Sequence, residues 1–586
     1  MRKLFVATAC CVLCGFAATA SALGDVNLND RQYIRHDGGT DPAISTCSDI
    51  TSTGTAGGGK RQQNEPAVAI DPNDPSFIVA GSNDYCTVPT FSDAWEGVYT
   101  SSDGGSTWKD SLLPGYPVDT SSAGQASPLY KKDTSSGDPI LDWDNSDNLF
   151  VGGIAFNRTV LTGGTFLTNA NVYVATYRRD ASAPTGISYN RTVIVGKGTP
   201  SAFFEGRFND KPSLKVDTWS AAQSPYAGNL YVSWTLFPGL GQDQVVFSRS
   251  TDSGQTFSRP IILSKNVPNA QGSDIAVTPD GTVYVVWRQF GFFGNGGDAI
   301  MFVKSTDGGK TFTNPAPVDP SIEGYDRQDQ YVTGGTARDC GSLGSLCVSH
   351  FTFHREDTLP QATADSSGAV YVTWEQVTPT GDNGDTYQPD GQSQIVLSKS
   401  VDAGADWGPA AKVDPQGSGH QWWPNLEYDK TIDTLVLVYY DSREDTSYSP
   451  NRPPGNFANG TSVCGAPIGS VVCDVLNTFI ATSTDGGTTW SPTKVSSVGH
   501  QPEYEMFGDR TVPFHGDYLW VDADAGSIFG VWTDNRDVVP GTDPRETPGD
   551  GFDVNQCRIQ NADGTWSSDQ CPNAGGLDQN IYGGTP

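Results

Sequence analysis

Five copies of one octapeptide limit what this chain can fold into. "SSDGGSTW" (101–108), "STDSGQTF" (250–257), "STDGGKTF" (305–312), "SVDAGADW" (400–407) and "STDGGTTW" (483–490) share a Ser, an Asp two residues on, a Gly two further and a closing aromatic. An Asp side chain can accept N–H bonds across a tight turn, and the Gly can take positive φ. The aromatic can fold over neighbouring strands and bury its ring. Five identical catalytic groups would be redundant, whereas five identical turn braces suit a repeated fold. Asp103, Asp252, Asp307, Asp402 and Asp485 are therefore read as structural.

Each copy closes a longer unit. Upstream lie a short strand ending in a turn, then an apolar strand such as "GNLYVSWT" (228–235), "GTVYVVWR" (281–288) or "GAVYVTWE" (368–375), then a third strand running into the octapeptide. A fourth strand follows. Short runs rich in Val, Tyr and Trp between Asp, Gly and Pro read as strands. Four antiparallel strands recurring at this spacing predict the blades of an all-β propeller; a β-helix or a string of sandwiches does not require the four-strand period. Units begin near Pro66, Pro139, Pro212, Asp274, Pro360, Pro424 and Tyr518, which makes seven blades, with six the alternative. Units two and seven carry only eroded motif copies, "TYRRDASAPTG" and "IQNADGTW", and insertions at about 315–358 and 445–475 interrupt the pattern.

The octapeptide resembles the Asp box (BNR repeat) of sialidases and related propellers, over roughly residues 60–560. The resemblance implies a single β-propeller with these hairpins as braces. The expected organisation is a signal peptide at 1–22, an irregular N-terminal arm at 23–60, the propeller at 61–560, and a tail at 561–586 that closes or flanks the last blade.

Residues 1–22 combine two basic residues, a short apolar run and a small-residue end at Ala20-Ser21-Ala22, as an export signal does, and the run is short for a membrane-spanning helix. The expected location is extracellular or periplasmic. Eight cysteines follow the signal: Cys47, Cys86, Cys340, Cys347, Cys464, Cys473, Cys557 and Cys571. An even number in an exported chain predicts disulfides, with 47–86, 340–347, 464–473 and 557–571 one pairing among many. No cysteine or histidine spacing matches a zinc site. A net charge of −31 disfavours nucleic acid and anionic lipid surfaces. No cofactor is expected, although the acidic turns "DPNDP" (71–75) and "VDADAG" (521–526) could hold a structural calcium ion. The expected partner is a glycan or glycoconjugate, with no membrane insertion and a monomeric chain.

In an antiparallel blade the 3–4 turn lies on one face of the disc, and the 2–3 loop and the connection into the next blade lie on the other. Chemistry is expected on the second face, at the ends of second strands and just before first strands. Arg288, Glu375, Asp441, Arg443, Asp534 and Arg536 fall at the former, with Asn83, Asp84 and Trp234; Glu65, Asp210, Trp422, Trp423, His515 and Asp517 fall at the latter. Converging arginines can grip a carboxylate bidentately. Arg288, Arg443 and Arg536 are the substrate-binding candidates, with Trp234, Trp422 and Trp423 as stacking platforms for sugar rings.

By resemblance to sialidases, whose nucleophile is a tyrosine, Tyr440 with Glu375 supplies the nucleophile, and Asp441 or Asp534 donates the proton. This predicts an exo-sialidase-type or other acidic-sugar glycosidase. One departure favours the alternative, a non-catalytic extracellular propeller that binds glycan or protein. Where the family opens its first blade with Arg-Ile-Pro, this chain reads Asn64-Glu65-Pro66, and its Arg259-Pro260-Ile261 follows a motif copy on a fourth strand. D-x-R pairs such as those in "DSRED" and "TDNRD" can also be inter-blade salt bridges.

Overall fold

In the computed structural model, seven four-stranded antiparallel sheets stand round a common axis as the blades of one propeller. The described residues are 24–29, 33–41, 44, 63–85, 94–161, 165–200, 206–239, 241–291, 297–325, 357–381, 390–445, 448, 476–500, 515–537 and 579–586. All eight cysteines and the expected signal peptide lie outside them. No helix among the described residues is long and apolar enough to cross a membrane.

Blade 1 is β2–β5 (Gln63–Ile70, Ile78–Asp84, Trp95–Ser101, Lys109–Leu112). Blade 2 is β6–β9 (Ser135–Trp143, Asn148–Leu161, Thr165–Arg179, Ile187–Gly196) and blade 3 is β10–β13 (Phe208–Val216, Leu230–Phe237, Gln244–Ser250, Ile261–Ile262). Blade 4 is β14–β17 (Ala270–Val277, Val283–Gln289, Ala299–Ser305, Ala316–Asp319) and blade 5 is β18–β21 (Gln361–Ala364, Val370–Gly381, Asp390–Ser400, Ala411–Lys412). Blade 6 is β22–β25 (Gln421–Asp429, Thr434–Asp441, Asn477–Ser483, Ser491–Lys494). Blades pack face to face, so second strands are buried on both sides. "TLVLVYYD" in β23 is buried throughout, which is why these strands read as apolar runs rather than alternating ones.

Blade 7 joins both ends of the chain. Its strands are β26 (Trp520–Asp524), β27 (Ser527–Asp534), β28 (Asn580–Gly584) and, outermost, β1 (Val26–Asn27). Val26 pairs with Gly583 and Asn27 with Tyr582. The 23–60 segment, read from sequence as irregular, thus supplies a short strand, and the 561–586 tail, expected to close or flank the last blade, supplies its third strand. The reason is closure: a ring whose last sheet is completed by the first residues has no open seam. The arm then continues onto blade 1, where Ile34 N donates to Asp110 O on β5 (2.9 Å).

Each octapeptide forms a 3–4 hairpin braced by its Ser and Asp; the fourth copy, with Asp406 in place of Thr, lacks the hydroxyl bond that the other four make. At the third copy, Ser305 Oγ donates to Asp307 Oδ1 (2.8 Å) and accepts from Gly309 N (2.9 Å), while Asp307 accepts from Thr311 N (2.9 Å) and Thr311 Oγ1 (2.6 Å). Gly487 and its equivalents have positive φ, +81° in this case. Only Trp108 is buried, at 5% exposure; Phe257, Phe312, Trp407 and Trp490 are half-buried.

Candidate functional site

The first strands of the blades line a channel along the axis. Their leading halves face the side of the 2–3 loops, where a second repeated feature appears. Glu65-Pro66, Asp138-Pro139, Lys211-Pro212, Gly272-Ser273 and Trp423-Pro424 each form a bulge that breaks the pairing between first and second strands. Proline has no N–H for the ladder. The residue before it is also kept out of the right-handed helical region. Here those residues take the left-handed one, with φ +54° at Glu65, +56° at Asp138, +47° at Lys211 and +51° at Trp423. Strain of this kind at bulky, non-glycine residues is characteristic of functional positions.

These residues meet at the mouth of the channel. A small, partly open cavity is lined by Lys211, Asp274, Gln361, Trp423, Asp517 and Tyr518, among others. Lys211 Nζ pairs with Asp517 Oδ2 at 2.5 Å. Asn83 bridges two blades: its Nδ2 donates to Glu65 Oε2 (2.5 Å) and its Oδ1 accepts from Asp138 N (2.9 Å). The Asp138 and Asp210 carboxyls converge on one main-chain donor, Lys211 N, at 3.2 and 3.1 Å. Burial, with the Glu65 charge, pushes Asp138 up to about 7, and burial with Asp138 pushes Asp210 well above the usual carboxylate range. Further along the axis, a second widening is lined by Asp142, Lys215, Glu427 and Asp522, where Lys215 Nζ holds both Glu427 oxygens (2.7 and 2.8 Å). Channel side chains also tie blade to blade: Asp142 accepts from Val216 N, Asp274 from Ala362 N, Asn425 from Val521 N and Asp522 from Ile70 N.

The arginines chosen from sequence are each taken up by neighbouring carboxylates. Arg443 donates from its backbone N (2.7 Å) and Nη2 (2.7 Å) to Asp441, also pairs with Asp414, and stacks over Phe479 on the third strand (3.9 Å). Arg536 repeats this arrangement with Asp534 (backbone N 2.8 Å, Nη2 2.7 Å), Asp25 (2.7 Å) and the Tyr582 ring (4.0 Å). Arg288, fully buried, pairs with Asp298 at 2.5 Å and covers Phe290. Arg288 also donates to Thr358 O ahead of blade 5 (3.2 Å), so each of the three guanidinium groups is engaged by its own set of protein partners.

Asp441 is buried and also accepts from Gln421 Nε2 (3.0 Å). Burial raises the Asp534 carboxyl, but His500 and Arg536 outweigh it and hold the group ionised, the opposite of what a proton donor needs. Tyr440 is buried and its hydroxyl donates to Thr533 O (2.7 Å), with Trp422 and Trp423 against its ring (5.7 Å each). Trp422 is fully buried, and Trp234 is buried with Nε1 donating to Asn209 Oδ1 (2.8 Å). Of the three tryptophans, Trp423 lines the axial cavity. Glu375 is fully buried on β19, opposite Ile395.

Sequence reasoning missed Asp138 and Lys211. The signal was present as the recurring X-Pro at the start of first strands. No group of three or more His, Cys, Asp or Glu among the described residues could hold a metal ion. In the "DPNDP" turn, Arg179 lies 3.6 Å from Asp71 and 3.4 Å from Asp74, and Asn73 N donates to Asp71 (2.9 Å), so a cation of the protein already faces these oxygens.

No family model matches this sequence, and no curated protein matches it. Solved structures similar in chain course include a Dyadobacter fermentans protein of unknown function, at 14% identity over 71% of this chain and 95% of that one, with a TM-score of 0.38. Trypanosoma rangeli sialidase in complex with an inhibitor matches at 14% identity over 65% of this chain and 53% of its own, with a TM-score of 0.34. A leech intramolecular trans-sialidase matches at 13% identity over 69% of each chain, with a TM-score of 0.37.

Proposed function

We propose that this chain is an exported β-propeller that binds a glycan or glycoconjugate at the axial mouth of its loop face, and that it does not cleave its ligand by tyrosine–carboxylate chemistry. The observation that carries this reading is the state of Tyr440. Its ring is buried and its hydroxyl is spent on a main-chain carbonyl. A nucleophile must reach the substrate and have a base to take its proton. The engagement of Arg288, Arg443 and Arg536 supports the same reading, because a guanidinium that grips its own carboxylate offers less to a ligand's.

The mouth also bears on the ligand. Among the described residues, its one lysine, Lys211, is already paired with Asp517, and Glu65 lies nearby beside Asp138, on a chain of net charge −31. Such a field disfavours an anionic sugar and suits a neutral or amine-bearing one. Binding to a panel of immobilised neutral, amino and acidic glycans tests this, alongside hydrolysis of fluorogenic sialosides, uronides and neutral glycosides. Retention of neutral or amino glycans without turnover, weakened at least about tenfold by Trp423→Ala, is the expected result. Turnover of an acidic glycoside that disappears in both Tyr440→Phe and Glu375→Gln would overturn it.

A second reading is favoured by the Asp138–Asp210 pair. A carboxyl that keeps its proton near neutral pH can serve as a general acid. Turnover of a neutral glycoside, lost in Asp138→Asn and kept in Tyr440→Phe, would support a glycosidase built on the mouth.

A further inference from the structure

The second widening of the channel is lined by matching residues of six first strands: Asp142, Lys215, Ala276, Thr363, Glu427 and Asp522. Asp142, Lys215, Thr363 and Glu427 each stand three places beyond the proline that opens their unit. Thr218, Trp219 and Lys430, from the 1–2 turns, complete the wall on the side away from the mouth. All seven first strands and the 1–2 turns after them lie among the described residues.

Two observations mark this widening as more than a gap between blades. The first is its charge. Lys215 Nζ gives bonds to both oxygens of one carboxylate, Glu427 (2.7 and 2.8 Å). Lys430 donates to Thr218 Oγ1 (3.2 Å) and lies 3.9 Å from Asp524 Oδ2. Asp142 and Asp522 are met by main-chain donors: Val216 N (2.7 Å) and Trp143 N (2.8 Å) for the first, Ile70 N (2.6 Å) and Ala523 N (2.8 Å) for the second. Blades 1, 4 and 5 add only the uncharged Ile70, Ala276 and Thr363. The carboxyls of Asp142, Glu427, Asp522 and Asp524 thus face two lysines. Burial pushes Asp142 up to about 6 and Asp522 well above the usual carboxylate range, and the Glu427 charge adds to both against the pull of Lys215. A further positive charge between them would reverse that shift.

The second observation is a hydroxyl. Thr363 is 5% exposed and lines the widening, and its Oγ1 makes no hydrogen bond within the protein. Buried polar groups are rarely left so, because the bonds they gave up to water go unreplaced.

We propose that this ring is a second ligand site, separate from the mouth, and that it takes a small organic cation through an ammonium group whose N–H bonds go to Asp142, Asp522 and the Thr363 hydroxyl. An anion would meet the excess of carboxyls, and the lysine it would seek is already held by both oxygens of Glu427. A bare metal ion does not fit either: no group of three or more His, Cys, Asp or Glu among the described residues could hold one. An ammonium group instead directs three separate donors to oxygens spread round a ring. The Lys215–Glu427 pair joins blades 3 and 6 across the channel, so the room beside it suits a small ligand.

The test uses methylammonium chloride as the probe, with tetramethylammonium chloride and sodium chloride at equal ionic strength as controls. Melting temperature of the mature chain is followed against concentration at pH 8 and pH 5, and proton release is measured in weakly buffered solution near pH 6.5. Methylammonium should raise the melting temperature at pH 8 along a saturating curve, and less at pH 5, where the carboxyls hold protons. It should release protons on binding, because a cation favours the ionised carboxyls. The two controls should do neither. Asp142→Asn and Thr363→Val should each raise the half-saturating concentration at least about threefold. Equal effects of all three salts, no proton release, or an unchanged response in both variants would each overturn the assignment. A response kept in both variants and lost in Trp423→Ala would move the cation to the mouth. The comparison of salts on the wild-type chain decides the matter even if a variant fails to fold.

Discussion

Replacing Asp307 by alanine removes the acceptor of four hydrogen bonds at once. Oδ1 takes Ser305 Oγ (2.8 Å), Lys310 N (3.0 Å) and Thr311 N (2.9 Å), and Oδ2 takes Thr311 Oγ1 (2.6 Å). The turn is partly exposed, so water replaces part of what is lost and each bond counts at the low end, about 0.5 kcal/mol, for a total of about 2 kcal/mol. How far that moves the melting temperature depends on what melts. If the ring of roughly 500 residues unfolds as one unit, its entropy of about 1 kcal/mol/K turns 2 kcal/mol into about 2 °C. If a blade of roughly 55 residues opened by itself, the same loss would move its transition by more than 15 °C, roughly. The blade-to-blade bonds from Asp142, Asp274, Asn425 and Asp522 argue for the single unit and the small shift. The effect should also depend on pH. Burial raises the Asp307 carboxyl, but its Thr311, Ser305 and Lys310 donors outweigh this and bring it down to about 2. A carboxyl whose folded value lies below its unfolded one of about 3.9 stabilises fully above that value and loses its contribution as pH falls through about 2. Calorimetry of the mature chain and Asp307→Ala at pH 7 and at pH 2–3 checks this, with the gap narrowing in acid. An unchanged melting temperature at pH 7, or loss of glycan binding without loss of stability, would refute the brace.

Asp138→Asn should raise the melting temperature at pH 8 and have little effect near pH 4. The folded-state value of Asp138, pushed up to about 7, lies above its unfolded one, so the native carboxyl contributes stability at low pH that is lost as pH rises through about 7; a pH series of melting curves reads this directly. Arg443→Ala and Arg536→Ala should each destabilise the fold, because each leaves buried Asp441 or Asp534 without its ion partner; a selective loss of acidic-glycan affinity at unchanged melting temperature would instead restore their substrate-binding role. Removing residues 23–29 deletes the outer strand of blade 7 and the Asp25–Arg536 pair, and should lower the melting temperature by several degrees, measured against the chain starting at Leu23.

Seven unit starts near Pro66, Pro139, Pro212, Asp274, Pro360, Pro424 and Tyr518 fall within or beside the seven first strands. They were legible because strand, turn and brace are local: the octapeptide carries its own hydrogen-bond donors within four residues of its Asp. Blade 7 was only half legible. Its second strand reads plainly, but its third strand comes after a long interruption and its fourth is at the other end of the chain, where a two-residue strand leaves no periodicity to detect.

The same division runs through the candidate site. Residue type and place in the repeat determined that the chain would be a propeller and which turns would brace it, and marked Arg288, Glu375, Asp441, Arg443, Asp534 and Arg536 as candidates. Only the tertiary structure decided where those side chains turn. Arg443 is held by Asp414, 29 residues away, and Arg536 by Asp25, 511 residues away. A guanidinium follows the nearest carboxylate in space, and distance in space is set by the closing of the ring. Asp138, Asp210 and Lys211 meet Glu65 and Asp517 for the same reason: residues scattered over some 450 positions become neighbours because five bulged strands and the start of a sixth surround one axis.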